Sequence, residues 1–407
     1  MRILFWLSIG LDRRTPSEHL LTAMIEALYK RGHTVHILQK DTGGEIEGLY
    51  PKLENLGVTT TKIPMTAVAH GNLVSRYLSD LSYVKKCDEW IKQNKNYDRV
   101  FLQSSNVAGF QMWVLKKRMK TVRTVFNVQD MFPENAVYSG KIKKNSLPYI
   151  FFSRTQKYAY DKAAEIITIS EDIKTELESN GVNGSKIKVV YNWSYQDKPF
   201  ERSLSMDSDI RKLLPQNKFN VVYAGNIGIM QNVEVVIEAA RKSEDPDVLF
   251  HIFGDGAYKQ KLIEKASDLN NVDFWPMQPV DKAPALYACA DVNIIPLAQN
   301  IYRTALPSKT ATCMAVHTPL ILCIGTESLF AQRVKRETNC PIVDCSDDKG
   351  LRRAIEKIKS KEIVCHTEEF FLDNMEMSVN SMVYAKSIEA EVTANCQRKL
   401  IISVLVK

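Results

Sequence analysis

The feature that most constrains this chain is a repeating unit in which a short β-branched run is followed by an amphipathic stretch of helical period, from residue 2 to about residue 366. Strands separated by whole helices cannot be joined as hairpins, so they are expected to lie parallel, with helices covering both faces of the sheet. The first half predicts strands at residues 2–7, 34–38, 59–63, 99–103, 123–128, 166–169 and 187–191. Residues 194–218 lapse into a polar segment, after which strands are predicted at 219–223, 248–253, 272–275, 292–295, 320–323 and 341–343. The fold class is therefore α/β, with two consecutive Rossmann-like halves at 1–196 and 219–365, and a helical segment at 366–407 expected to pack back across the first. With 407 residues, 45% hydrophobic and 25% charged, the chain can give each half its own core.

No stretch approaches the apolar length of a membrane-spanning helix, and residues 1–7 are too short for a signal-peptide core, so the expectation is a cytoplasmic protein. Residues 398–407, apolar between basic ends, read as a packed terminal strand in preference to a membrane-inserted end. The eight cysteines show no CxxC pair and lie mostly in apolar runs, where a reduced thiol packs as a small hydrophobe; no metal site is expected. The net charge of +7 is scattered apart from the runs Lys116-Lys117-Arg118 and Lys141-Ile142-Lys143-Lys144. Solvated surface is the simpler account of each run, and the functional one is attraction to anions, a phosphate-bearing substrate or the cytoplasmic face of a membrane; no nucleic acid is expected.

In parallel sheets, ligands bind beyond the carboxyl ends of the strands, so the residues after each strand are the candidates. After the first comes Gly10 with Arg13 and Arg14, leading into a helix for which Thr15, Pro16 and Glu18 form a capping box. Such a helix start tolerates an anion, and solvated loop arginines are an equally good account. Gly225-Asn226-Ile227-Gly228 and Gly254-Asp255-Gly256 follow successive strands of the second half. Glycine there lets a backbone come close to a phosphate, although any tight strand-to-helix turn uses it too. Ser308 and Lys309 open an apolar helix, where a hydroxyl and a compact cation suit a diphosphate. Asp130 and Glu134 follow a strand of the first half; Asp130, closer to the strand end, is the better candidate for a sugar hydroxyl, and Glu134 is equally well read as a first-turn helix acid after Pro133. His251 alternates within a strand and reads as structural.

Taken in order, these segments resemble family 4 glycosyltransferases, which have two Rossmann-like domains facing across a cleft (the GT-B fold). Gly32-His33-Thr34-Val35, Ile167-Thr168-Ile169-Ser170-Glu171, Val189-Val190-Tyr191-Asn192-Trp193 and Phe253-Gly254-Asp255-Gly256 carry the resemblance. Gln129-Asp130-Met131-Phe132-Pro133-Glu134, Gly225-Asn226-Ile227-Gly228 and Pro307-Ser308-Lys309 are similar to a subgroup of amino-sugar and fucosyl transferases of bacterial exopolysaccharide synthesis. The chain departs from the common pattern in three ways: Thr304 and Thr312 stand in place of its two glutamates, Asn226 and Gln231 in place of its arginine and lysine, and His317 in place of a glycine.

The resemblance implies a retaining, metal-independent transfer from a UDP- or GDP-type sugar, without a cofactor, to an acceptor, here a lipid-linked saccharide at the inner face of the membrane. It places the donor near Gly225, Asn226, Gly228, Gly254, Gly256, Ser308 and Thr312, with Lys309 stabilising the leaving diphosphate. Asp130 would face the sugar, and Gly10, Arg13, Arg14 and Glu134 the acceptor or a phosphate. The missing glutamates keep open a catalytically silent binding protein, and a sugar-nucleotide epimerase of the same fold is a second enzyme alternative. Neither half shows the GxGxxG turn and acidic partner of a dehydrogenase.

Overall fold

The computed structural model describes residues 1–11, 17–41, 43, 50–66, 73–194 and 208–391. The first sheet contains β1 (Arg2–Trp6), β2 (Thr34–Asp41), β3 (Thr59–Pro64), β4 (Arg99–Gln103), β5 (Arg123–Val128), β6 (Glu165–Thr168) and β7 (Ile187–Val189). Its seven strands run in the order β3-β2-β1-β4-β5-β6-β7, all parallel. The second contains β8 (Phe219–Ala224), β9 (Val248–Phe253), β10 (Val272–Trp275), β11 (Val292–Pro296), β12 (Leu320–Cys323) and β13 (Ile342–Val343), in the parallel order β10-β9-β8-β11-β12-β13.

Helices α1 (Glu18–Lys30), α2 (Tyr50–Asn55), α3 (Leu73–Gln93), α4 (Ala108–Arg118), α5 (Glu134–Tyr138), α6 (Leu147–Lys162) and α7 (Glu171–Ser179) belong to the first half. The second carries α8 (Ser208–Leu213), α9 (Glu234–Arg241), α10 (Lys259–Lys265), α11 (Ala283–Cys289), α12 (Lys309–Ala315), α13 (Leu329–Thr338) and α14 (Asp348–Lys359), followed by α15 (Glu368–Asn374) and α16 (Met377–Glu389). The strands are buried on both faces because separate apolar clusters cover each side: Phe5 and Ile37 turn to one side of the first sheet, Leu4 and Trp6 to the other. In each sheet the strand order reverses beside the first strand, β1 against β4 and β8 against β11, which opens a crevice at the carboxyl edge.

The chain returns to the first sheet at its end. Tyr384 of α16 is buried and donates to Asn127 Oδ1 at 2.9 Å, while Glu389 accepts from Arg31 and meets the His33 ring. The helix stops at Glu389, and residues 392–407 lie outside the described residues. At the other end, α1 starts at Glu18 with Ser17, not Thr15, at the capping position, and the Ser17 side chain makes no capping hydrogen bond; Thr15 and Pro16 lie outside the described residues.

The two halves are joined by polar contacts across the crevice. Asp130 forms an antiparallel bridge with Ala305, and Met131 N–H donates to the Thr304 carbonyl at 3.0 Å. Beside this, Asp172 of α7 receives the first amides of α13, from Leu329 at 2.8 Å and Phe330 at 3.1 Å, as well as the Ser328 hydroxyl at 2.7 Å. A carboxylate from one half thus satisfies the free N–H groups at a helix start in the other. Arg333, one turn further along α13, reaches Glu171 at 3.1 Å, the Tyr191 hydroxyl at 3.2 Å and Asn374 at 2.7 Å.

Candidate functional site

The most unusual group at the carboxyl edge of the second sheet is Lys309. Its ammonium nitrogen is buried without a hydrogen-bond partner among the described residues, 3.9 Å from the centroid of the Tyr223 ring. Burial lowers its pKa to about 8, because desolvation disfavours the charged ammonium by more than the neighbouring ring and Cys313 offset. Tyr223 is the penultimate residue of β8 and is itself fixed by donating to the Asn226 carbonyl at 2.5 Å. The strand end opposite is Gly225, where an added Cβ would stand 2.7 Å from the Lys309 nitrogen. A glycine at that strand end therefore leaves room for the amine.

Gly254 and Gly256 have a different physical reason. A Cβ on Gly254 would stand 1.9 Å from the Gly225 carbonyl oxygen, and one on Gly256 would stand 2.3 Å from that of Ile227. The turn after β9 is pressed onto the turn after β8, and Ile227 N–H donates to the Asp255 carbonyl at 2.8 Å. These glycines shape the crevice by letting two backbones touch. Gly228, with an ordinary φ of −121°, meets side chains only: an added Cβ would stand 2.8 Å from Gln231 Oε1 and 3.0 Å from Asn226 Nδ2. Asn226 donates to Gln231 Oε1 at 3.0 Å, so a neutral amide pair occupies the places where the resembling family has its two cations.

Ser308 is exposed and its hydroxyl caps nothing. Thr312, one turn beyond Lys309, is buried with its hydroxyl 3.5 Å from that of Ser194 in the first half. Thr304 is also buried, with its hydroxyl donating to the Ile301 carbonyl. The two positions that hold glutamates in the common pattern thus carry small hydroxyls turned into the protein. His317 has φ +55°, the left-handed region that a glycine adopts freely, which explains the glycine usual at that place. His251 is satisfied as a structural residue: it is buried, meets Asn220 at 3.0 Å and receives the Trp275 indole N–H at 3.3 Å.

On the facing side, Asp130 is exposed beside its backbone bridge to Ala305, and desolvation by the groups packed around its carboxyl pushes its pKa up to about 6. Glu134, the first residue of α5, turns instead into a pocket of about 180 Å³ beside α6. Tyr149 donates to it at 3.4 Å, and burial raises its carboxyl. Gly10 is half-buried after β1, and Arg13 and Arg14 lie outside the described residues. Among the sequence-level candidates, the fold brings Lys309 and Gly225 together and places Gly254 and Gly256 behind them; Thr312 and Glu134 face other surroundings.

Three contributors carry no local signal in the sequence. Tyr223 reads as one more aromatic in a buried strand, and Asp172 and Arg333 as ordinary helix charges. Packing of β8 against α12 within the second half gives Tyr223 its role, and the approach of the two halves gives Asp172 and Arg333 theirs. A buried acid early in α7 facing the Ser328-capped start of α13 is a pairing that neither segment announces.

Two parallel sheets with facing crevices, one holding a buried amine against a glycine strand end, define a two-domain α/β protein suited to an anionic ligand. The family model "Glycosyltransferase Family 4" matches residues 17–193, and "Glycosyl transferases group 1" matches residues 206–369. WcaI of Escherichia coli (strain K12), described as a glycosyl transferase of colanic acid biosynthesis, is 30% identical over 312 residues, covering 72% of this chain and 76% of WcaI. WbjE of Pseudomonas aeruginosa, described as a glycosyltransferase, is 27% identical over 288 residues, 68% of each chain. The chain belongs to the family 4 glycosyltransferases, with the GT-B fold. The same fold is seen in Anabaena HepE, solved with UDP-glucose, at 16% identity with a TM-score of 0.63, covering 99% of this chain and 100% of that one. It is seen again in WaaG, a glycosyltransferase of lipopolysaccharide biosynthesis, at 15% identity with a TM-score of 0.64, covering 96% of this chain and 100% of that one. Among the described residues no helix is long and apolar enough to cross a membrane.

Proposed function

We propose that this glycosyltransferase moves a sugar from a UDP- or GDP-type donor, with retention and without a metal, onto a lipid-linked saccharide in bacterial surface polysaccharide synthesis. The observation that carries the donor half of this reading is the unpartnered Lys309 amine beside Gly225. A group paid for by desolvation and given no protein partner suits a ligand that brings its own negative charge. Cleavage of the glycosidic bond leaves charge on the diphosphate, and Lys309 offsets it there. Asp130, facing from the first half with its raised pKa, takes the acceptor hydroxyl or orients the donor sugar. HepE, solved with UDP-glucose, supports a nucleotide sugar as the donor.

The acceptor half rests on the polysaccharide role of WcaI and on the surface around α6. Leu147, Ile150 and Phe151 are exposed there, next to the exposed Lys141, Lys143 and Lys144. The run Lys116-Lys117-Arg118 contributes less than its composition suggests, because Arg118 is paired with Asp88 and Lys116 donates to the Val122 carbonyl. Assaying donor hydrolysis and transfer with a panel of UDP- and GDP-sugars, with and without a lipid-linked acceptor, tests the whole reading. Binding without turnover would replace it with a silent binding protein, and donor conversion without an acceptor would replace it with an epimerase.

A further inference from the structure

One helix carries two unlike faces that meet at a single cation. In α6, Leu147, Ile150, Phe151 and Arg154 fall at i, i+3, i+4 and i+7, so they form one stripe, and all four are exposed. Tyr149, Ser153, Gln156 and Tyr160 fall at i, i+4, i+7 and i+11 on the neighbouring face and line the pocket of about 180 Å³. Arg154 belongs to both: it ends the apolar stripe and stands among the residues lining the pocket. It has no ion-pair partner among the described residues, whereas its neighbour Lys157 is held by Asp161 at 3.0 Å.

The lining of the pocket suits a sugar ring. Two tyrosines and Phe132 supply flat apolar walls, and Glu134 supplies a carboxylate of the kind that accepts from hydroxyls. It lies close to the contact between the halves, since Phe132 and Pro133 of its lining directly follow Met131, whose N–H donates to the Thr304 carbonyl of the second half. On the outer side, Leu147 is 84% exposed and Phe151 48%, which leaves an apolar ridge with nothing of this chain to cover it among the described residues. The basic run at 141–144 lies just before it in the chain.

We infer that α6 binds the acceptor as a phosphate-bearing amphiphile: its apolar chain lies along Leu147, Ile150 and Phe151, its phosphate sits on Arg154, and its sugar enters the pocket at Glu134. This deepens the reading of the acceptor given above and rests on it. Arg154 marks the level at which hydrocarbon gives way to phosphate, because a guanidinium pairs with phosphate oxygens while the adjoining side chains remain in lipid. The apolar stripe and the sugar pocket are thereby held in register by one rigid helix.

The test uses the full chain, with dodecyl phosphate in phosphatidylcholine vesicles as the amphiphilic probe, glucose 1-phosphate as the soluble one, and UDP binding measured in parallel. The wild type is expected to bind the doped vesicles above plain ones, and Arg154→Ala to weaken that binding about tenfold or more while leaving UDP binding unchanged. Arg154→Lys restores part of the loss, and Phe151→Ser weakens the vesicle probe but not glucose 1-phosphate. Equal vesicle binding by wild type and Arg154→Ala overturns the assignment, as does displacement of the probe by UDP, which would place it in the donor crevice. Glucose 1-phosphate binding as tightly as the doped vesicles overturns the amphiphile and makes the source a free sugar phosphate. Failure of the transferase reading is visible separately, as a wild type that does not bind UDP at all.

Discussion

Replacing Lys309 by methionine keeps the apolar stem and removes only the charge, so it separates the two things this residue does. The fall of its pKa from 10.5 to about 8 corresponds to roughly 3 kcal/mol of unfavourable charging in the folded protein, at 1.36 kcal/mol per pH unit. Relaxation around the site lessens this, and a net gain of about 1–2 kcal/mol in Lys309→Met at pH 7 is the expected result, raising the Tm by roughly 2–8 °C. The sign follows from linkage. The unfolded chain holds the proton up to pH 10.5 and the folded one only to about 8, so the penalty is complete below pH 8 and disappears as the pH rises to 10.5. The stability difference between variant and wild type should therefore close across that interval, as followed by thermal melts at several pH values. Turnover should move the opposite way, falling about 10²-fold or more, because the charge that offsets the departing diphosphate is gone. Unchanged turnover in a well-folded variant refutes the role in catalysis, and an unchanged Tm at pH 7 refutes the desolvated amine.

Asp130→Asn should lower turnover and abolish a loss of kcat/KM that the wild type shows as the pH falls through about 6, measured as a pH profile with saturating donor. Since its raised pKa means that the fold disfavours the ionised form, the same variant should gain stability above that pH and none below 3.8. Activity should persist after EDTA treatment; loss of activity with rescue by Mg²⁺ or Mn²⁺ would contradict the metal-independent mechanism. Asp172→Ala leaves the Ser328 hydroxyl and the Leu329 and Phe330 amides without their acceptor, which should cost about 1.5–3 kcal/mol and lower the Tm. Co-sedimentation with vesicles should rise with anionic lipid content and fall with added salt, since each well-placed basic residue contributes about 1 kcal/mol; indifference to both would remove the membrane surface from the proposed function.

The strands and the fold class were legible in the sequence because they depend on local patterning. β4, β5, β9, β10 and β12 begin and end where the β-branched runs do, since a strand covered by helices on both faces must be apolar throughout. The parallel arrangement follows equally locally, from the length of chain between strands. The glycine turns were legible as turns, but not in their purpose: Gly254 looks like a phosphate contact in sequence, and only the 1.9 Å approach of the Gly225 carbonyl shows a backbone that leaves no room for a side chain. Lys309 was visible as a cation at a helix start. That its amine is buried, lacks a partner and lies over Tyr223 was not, because these residues stand far apart in the chain and meet only when β8 and α12 pack. Likewise a helical period assigns Leu147–Lys162 to a helix, while its splitting into an outer apolar stripe and an inner pocket depends on which neighbours cover it. The sequence by itself determined what each segment is, through propensity and period; the tertiary structure decided which charges are desolvated and which surfaces stay open, because both depend on contacts between segments remote in sequence.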